Sequence, residues 1–167
     1  VGIGWNKMEY DALDQNFKNR GRRLEEQIEL MRTLWTNEVV NFKGKWHNID
    51  ESGLNPLPVQ RPIPVWFGAF EEVAIKRAGR LGDGWFPARG AAPELVALAR
   101  KTAEENGRDP DALEITTSLP DDMDQIPALA AAGVNRILVP VTPMAGLATR
   151  ISNPDDVKNW RDILDKY

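Results

Sequence analysis

Pro64-Val65-Trp66-Phe67-Gly68 is a short apolar run that stops at a glycine, and together with the segment behind it this run decides the fold. Val73, Ala74, Arg77, Ala78 and Leu81 fall at helical spacing and end at Gly82, so the stretch from Ile63 reads as a strand followed by a helix. The pair recurs. Gly84-Trp85-Phe86-Pro87 predicts a second strand; Pro93 then opens a helix with Leu95, Leu98, Ala99 and Thr102 on one face and Gly107 beyond its end. Leu113-Glu114-Ile115-Thr116-Thr117-Ser118 is rich in β-branched residues, and Ile126, Leu129 and Ala130 form the next helical face, ended by Gly133. Arg136-Ile137-Leu138-Val139-Pro140-Val141 predicts a strand buried on both faces of a parallel sheet, and Asn153-Pro154 starts a helix carrying Val157, Trp160 and Leu164.

The residues before Ile63 are organised differently. Leu24, Ile28, Met31 and Trp35 predict a long amphipathic helix over Arg20 to Trp35. Val39-Val40-Asn41-Phe42 and Trp46-His47-Asn48-Ile49 flank Lys43-Gly44-Lys45 as a β-hairpin, and Glu51 to Pro62 is a proline-rich connector. Val1-Gly2-Ile3-Gly4 reads as a strand end running into a loop, as though sequence upstream were missing. Two α/β folds can hold four βα units. A doubly wound sheet of flavodoxin type needs a phosphate loop after a full first strand, for which Val1 to Gly4 is too short. A (β/α)8 TIM-type barrel needs roughly 250 residues. The better expectation is therefore residues 1–167 as one domain, the C-terminal part of such a barrel, with about four complete βα units after an N-terminal helix and hairpin.

Composition narrows the function. The chain has 167 residues, 42% hydrophobic and 28% charged, enough for a sizeable core. Its 21 basic against 25 acidic residues leave a net charge of −4, which argues against a nucleic-acid partner. The apolar runs are short and no signal-peptide pattern opens the chain, so neither a membrane span nor a secretory leader is expected and a cytoplasmic location is. With no Cys, disulfides, thiolate nucleophiles and zinc–thiolate sites are excluded.

In a barrel, chemistry sits on the loops after the strands, here Gly2 to Lys7, Gly68 to Glu72, Phe86 to Gly90, Ser118 to Asp122 and Thr142 to Gly146. These loops contain no His, no Cys and no carboxylate pair other than the sequential Glu71–Glu72 and Asp121–Asp122, and no metal-ligand spacing. Nucleophilic triads and two-carboxylate hydrolysis therefore lack their parts. The loops offer small residues, helix N-termini and aromatic rings, which suits a flat, phosphate-bearing cofactor that brings its own chemistry.

Gly2-Ile3-Gly4-Trp5-Asn6, the helix with Gly21-Arg22-Arg23 and Leu34-Trp35, Pro64-Val65-Trp66-Phe67-Gly68, and above all Arg77-Ala78-Gly79-Arg80-Leu81-Gly82-Asp83-Gly84-Trp85-Phe86-Pro87 resemble the luciferase-like monooxygenase family. The nearest branch is the oxidoreductases that use the deazaflavin coenzyme F420. The resemblance implies a barrel whose first four strands lie largely upstream of Val1, with F420, or FMN as the alternative, bound at its top. It implies hydride transfer to or from a small organic substrate, or oxygen activation with FMN. Gly2, Gly4 and Asn6 would lie beside the cofactor, and Gly68, Ala69 and Phe70 would present backbone amides to it. Two departures stand out. Many members carry a second Gly and a small hydroxyl residue where this chain has Ala69 and Glu71, and some F420 dehydrogenases have a catalytic Glu where this chain has Ile3. The catalytic residues are accordingly unassigned.

Several residues have a plain structural reading beside the functional one. Asp83 starts a strand, away from the chemistry, and Trp85 points inward as core or wall. His47 lies in a helix-to-strand connection and reads as non-catalytic. Lys18, Arg20, Arg22 and Arg23 fit a solvated helix start or a subunit contact better than an anionic cofactor tail, and Arg89 follows a strand end and is a weaker candidate for ligand contact. Homo-oligomerisation is expected, because a partial barrel leaves strand edges open, and the fragment alone is expected to be inactive. Rival expectations are a non-catalytic half-barrel and a flavodoxin-like binding module.

Overall fold

The computed structural model describes residues 1–87, 90–139, 151–161 and 165, which divide into two compact units, Val1–Trp66 and Phe67–Tyr167. The first unit opens without a strand. Among the described residues, residues 1–5 belong to no ladder, because a strand exists only through a partner; the Val1 backbone nitrogen donates to the Trp66 carbonyl. Helix α1 (Lys7–Ala12) is capped by Asn6, and a 3₁₀ turn (Phe17–Asn19) leads into α2 (Arg20–Thr36). Helix α2 buries Leu24 and Ile28 as its periodicity predicts; Leu30 is buried as well, on another face, while Met31 and Trp35 are half-buried. Strands β1 (Val40–Lys43) and β2 (Asn48–Ser52) form the predicted antiparallel hairpin, with a wider turn than the sequence suggests.

The second unit is built on a sheet of order β3-β4-β5-β6, where β3 is Trp66–Ala69, β4 Gly84–Pro87, β5 Glu114–Ser118 and β6 Arg136–Leu138. β5 runs parallel to both β4 and β6. Sequential neighbours without a reversal are the order of a singly wound barrel wall, not of a doubly wound flavodoxin sheet. Helices α3 (Glu72–Leu81), α4 (Pro93–Glu105) and α5 (Ile126–Ala131) follow the first three strands. The core beneath them is Ile75, Ala78, Trp85, Val96, Ala99, Ala103 and Ile115, all at most 1% exposed.

Gly79 sets the closeness of α3 to α4. A Cβ there would lie 2.4 Å from the Ala99 carbonyl oxygen and 3.0 Å from Thr102 Cβ, so only a glycine lets the two helices meet at this distance.

Four expectations are corrected. β3 begins at Trp66, not Pro64, since a proline has no N–H to give a ladder. Val73 lies 65% exposed, and its place in the core is taken by Ile75. β6 ends the row of described strands, with Arg136 and Leu138 exposed, so it is not buried on both faces; the rest of that apolar run, from Pro140, lies outside the described residues. The helix after Asn153 starts where expected, with a capping box to Asp156, and runs as 3₁₀ over Pro154–Trp160; it buries Trp160 but leaves Val157 exposed, and Leu164 lies outside the described residues. The described residues thus contain three strand–α-helix pairs and a fourth strand followed by a 3₁₀ turn.

Candidate functional site

The six candidate residues fall three in each unit. In the first, Gly4 has φ +72°, a conformation that a glycine takes without strain, and the turn it makes is held from two sides. The Tyr10 hydroxyl donates to the Ile3 carbonyl. Arg20 Nε donates to the Gly4 carbonyl at 3.2 Å and Nη1 to the Phe17 carbonyl at 2.9 Å, while its guanidinium stacks 3.7 Å from the Phe17 ring centre. Tyr10 meets the same ring edge-on at 5.3 Å. Between this loop and α2 lies a cleft of about 330 Å³ lined by Gly2, Gly4, Glu9, Tyr10, Arg20 and Arg23, among others. Asn6 is not among its lining residues. Its Oδ1 accepts from Met8 N at 3.1 Å and its Nδ2 donates to Glu9 Oε1 at 3.1 Å, so its side chain serves as the helix cap.

In the second unit, Gly68, Ala69 and Phe70 end β3 and enter α3. Gly68 is exposed, Ala69 is buried, and Phe70 is 37% exposed. Trp85 on β4 is fully buried, and its indole Nε1–H donates to the Ala69 carbonyl at 3.1 Å. That bond orients the loop: in a trans peptide the carbonyl and the next N–H point opposite ways, so the Phe70 N–H is turned away from Trp85. Helix α3 starts at Glu71 with no side-chain cap, its Ala74 and Ile75 N–H groups closing on the Glu71 carbonyl. Of the two carboxylates there, Glu72 is paired with Lys76 at 2.5 Å, and that hydrogen bond and the ammonium charge hold it below the usual carboxylate range. Glu71 is exposed.

A wider hollow of about 600 Å³ lies at the carboxyl ends of β4 and β5, lined by Pro87, Gly90, Ala91, Thr117, Ser118 and Gln125, among others. In parallel α/β sheets this is the end that carries ligands. Arg89 and the Thr142 to Gly146 loop lie outside the described residues. Among the described residues no cluster of His, Asp and Glu could hold a metal ion, and no helix is long and apolar enough to cross a membrane.

Asp83 has the structural place expected of it: its carbonyl accepts from Glu114 N at 3.1 Å and its carboxylate lies 3.8 Å from Arg108. His47 is also occupied structurally, through a feature the sequence does not show. Glu26 on α2 accepts from Lys45 N at 2.7 Å, from Trp46 N at 2.9 Å and from His47 N at 2.8 Å, while His47 Nδ1 lies 2.9 Å away. Burial raises the Glu26 pKa, but the hydrogen bonds from Trp46 N, the His47 ring, Lys45 N and His47 N outweigh it and draw the value down to about 2. The result is a clamp on the hairpin turn. Residues twenty apart make it, so no local pattern announces it.

A wall of sequential parallel strands, a glycine-cornered amino-terminal loop and a tryptophan-braced strand end define the class: the chain belongs to the luciferase-like monooxygenase family, whose family model matches residues 1–156. Within it, the chain is 38% identical over 153 residues to an F420-dependent glucose-6-phosphate dehydrogenase of Tsukamurella paurometabola, covering 89% of this chain and 45% of that protein. It is 31% identical over 153 residues to the enzyme of the same name from Segniliparus rotundus, with the same coverages. Among solved structures, an F420-dependent secondary alcohol dehydrogenase in complex with an F420–acetone adduct shares the fold, with a TM-score of 0.57 and 24% identity over 77% of this chain and 42% of that one. The chain spans less than half the length of the curated relatives it matches.

Proposed function

We propose that this chain is part of an F420-dependent oxidoreductase that moves a hydride between the deazaflavin and a small organic substrate. The observation that carries the reading is the 38% identity to an F420-dependent dehydrogenase along nearly the whole chain. With it goes the proposal that residues 1–167 act as one domain, the C-terminal part of the barrel.

The residues at the end of β3 fit such a cofactor. Gly68 brings no side chain to an exposed strand end, the Ala69 carbonyl is already held inward by Trp85, and no side chain caps the start of α3. Bound there, F420 supplies the ring that carries the hydride. Gly68 then admits close approach of the backbone, and the amides of Ala69 and Phe70 with the positive end of α3 hold an anionic group. The Lys76 ammonium offsets the charge of Glu72, and Glu71 stays in solvent. Phe70 offers a partly exposed apolar ring as a wall. Gly2 and Gly4 take the same close-approach role in the amino-terminal loop, whose helix start Asn6 holds in place. The hollow at the ends of β4 and β5 is the place for the substrate.

Fluorescence titration of the complete protein with F420 and with FMN tests this. F420 is expected to bind in preference, and Gly68→Val to weaken it by about tenfold or more, as a loss of about 1.4 kcal/mol implies. Tight binding unchanged by Gly68→Val overturns the site, and preference for FMN overturns the cofactor.

A further inference from the structure

We propose that the cleft between the amino-terminal loop and α2 is a binding site for a small oxyanion, a carboxylate or a phosphate, anchored by Arg23. The proposal goes beyond the cofactor reading: the two share Gly2 and Gly4 as walls, but the anchor, Arg23, has no part in that reading. Two guanidinium groups line the cleft, and among the described residues neither forms an ion pair with a carboxylate.

Arg20 has its work already. It ties the Gly4 and Phe17 carbonyls and stacks on the Phe17 ring, so it contributes charge to the cleft while its donors shape the loop. Arg23 is different. Its Nη1 donates to Gln15 Oε1, which fixes the guanidinium plane, while its Nε is buried with no hydrogen-bond partner. Nε and Nη2 together form the side-on fork by which arginine grips a carboxylate or a phosphate with two parallel bonds. A buried, unpartnered cationic donor costs more than a neutral one, and a turn of the side chain that brings the fork to the cleft lets an oxyanion remove that cost.

The opposing charge in the cleft is Glu9, whose Oε1 is engaged by Asn6 Nδ2. Two cations against one anion leave the cleft positive in a chain whose net charge is −4, so the attraction is local and not a general property of the surface. Gly2 and Gly4 line the cleft without side chains, which leaves room in it for a small anion.

Calorimetric titration at constant ionic strength, with inorganic phosphate in one arm, glutarate in another and chloride as control, tests the site and separates phosphate from carboxylate recognition. Saturable binding of one oxyanion is expected. Arg23→Gln should weaken it by about tenfold or more, in keeping with the loss of a charged hydrogen-bond pair. Arg23→Lys, which keeps the charge but not the fork, should recover only part of the loss. Glu9→Gln leaves the guanidinium groups untouched and should tighten binding severalfold, which keeps the test open if Arg23→Gln does not fold. Heats no larger than the chloride control, binding unchanged in Arg23→Gln, or binding unchanged in Glu9→Gln each overturn the proposal. None of these arms contains F420, so failure of the cofactor reading leaves the result standing.

Discussion

Replacing Trp85 by Phe keeps an aromatic ring at a fully buried position and removes one hydrogen bond, the indole N–H to the Ala69 carbonyl at 3.1 Å. Ala69 is itself only 5% exposed, so water cannot readily replace the lost donor. Leaving a buried carbonyl without its partner costs about 1–3 kcal/mol. The smaller ring leaves a void worth about 1 kcal/mol more. The sum, about 2–4 kcal/mol, is a large share of the 5–15 kcal/mol by which domains are usually stable. A second effect concerns the loop rather than the core. With the Ala69 carbonyl released, the peptide to Phe70 can rotate, and an amide proposed to face the cofactor loses its fixed direction. Urea unfolding reads the first effect as a lower midpoint with unchanged slope. F420 titration at a temperature where the variant is folded reads the second, expected as a severalfold weaker affinity. A midpoint shift worth less than about 0.5 kcal/mol, the range of an ordinary surface substitution, together with unchanged F420 affinity, refutes the bracing role.

Three other outcomes are expected. Gly79→Ala gains about 1 kcal/mol of helix propensity, but its Cβ would sit 2.4 Å from the Ala99 carbonyl oxygen, and overpacking of this kind costs about 1–3 kcal/mol; the net should be a lower melting temperature, and a stabilised variant shows that α3 and α4 are not in close contact. Glu26 is depressed in the folded state to about 2 from 4.5, so its contribution to stability is fully present above pH 4.5 and is lost as pH falls toward 2; Glu26→Gln should flatten that part of the stability-versus-pH curve, and an identical acid limb in both proteins rules the clamp out. β6 ends the row of described strands with Leu138 46% exposed, and such an edge should make the isolated chain self-associate; a monomeric sedimentation profile at micromolar concentration contradicts it.

What was legible in the amino-acid sequence is what short-range chemistry controls. The alternation of strand and helix from Ile63 onward, the α2 stripe through Leu24 and Ile28, and Pro93 at the start of α4 all follow from periodicity and capping within one or two turns. The resemblance carried by Arg77 to Pro87 pointed to the family whose model matches the chain, and the same segment holds the close helix contact at Gly79 and the strand that braces the β3 loop. Tertiary structure decided the rest. Which residues of an apolar run join a ladder depends on a partner strand, so β3 moved to Trp66–Ala69 and β6 became an exposed end of the row. Which polar groups meet depends on chain segments far apart: Glu26 finds the hairpin turn twenty residues on, Arg20 finds the Gly4 carbonyl, and the Trp85 indole finds Ala69. Residue types and spacing limit what a segment can form by itself, but a hydrogen bond or a strand pair is a property of two segments, and only the folded chain brings the second one into place.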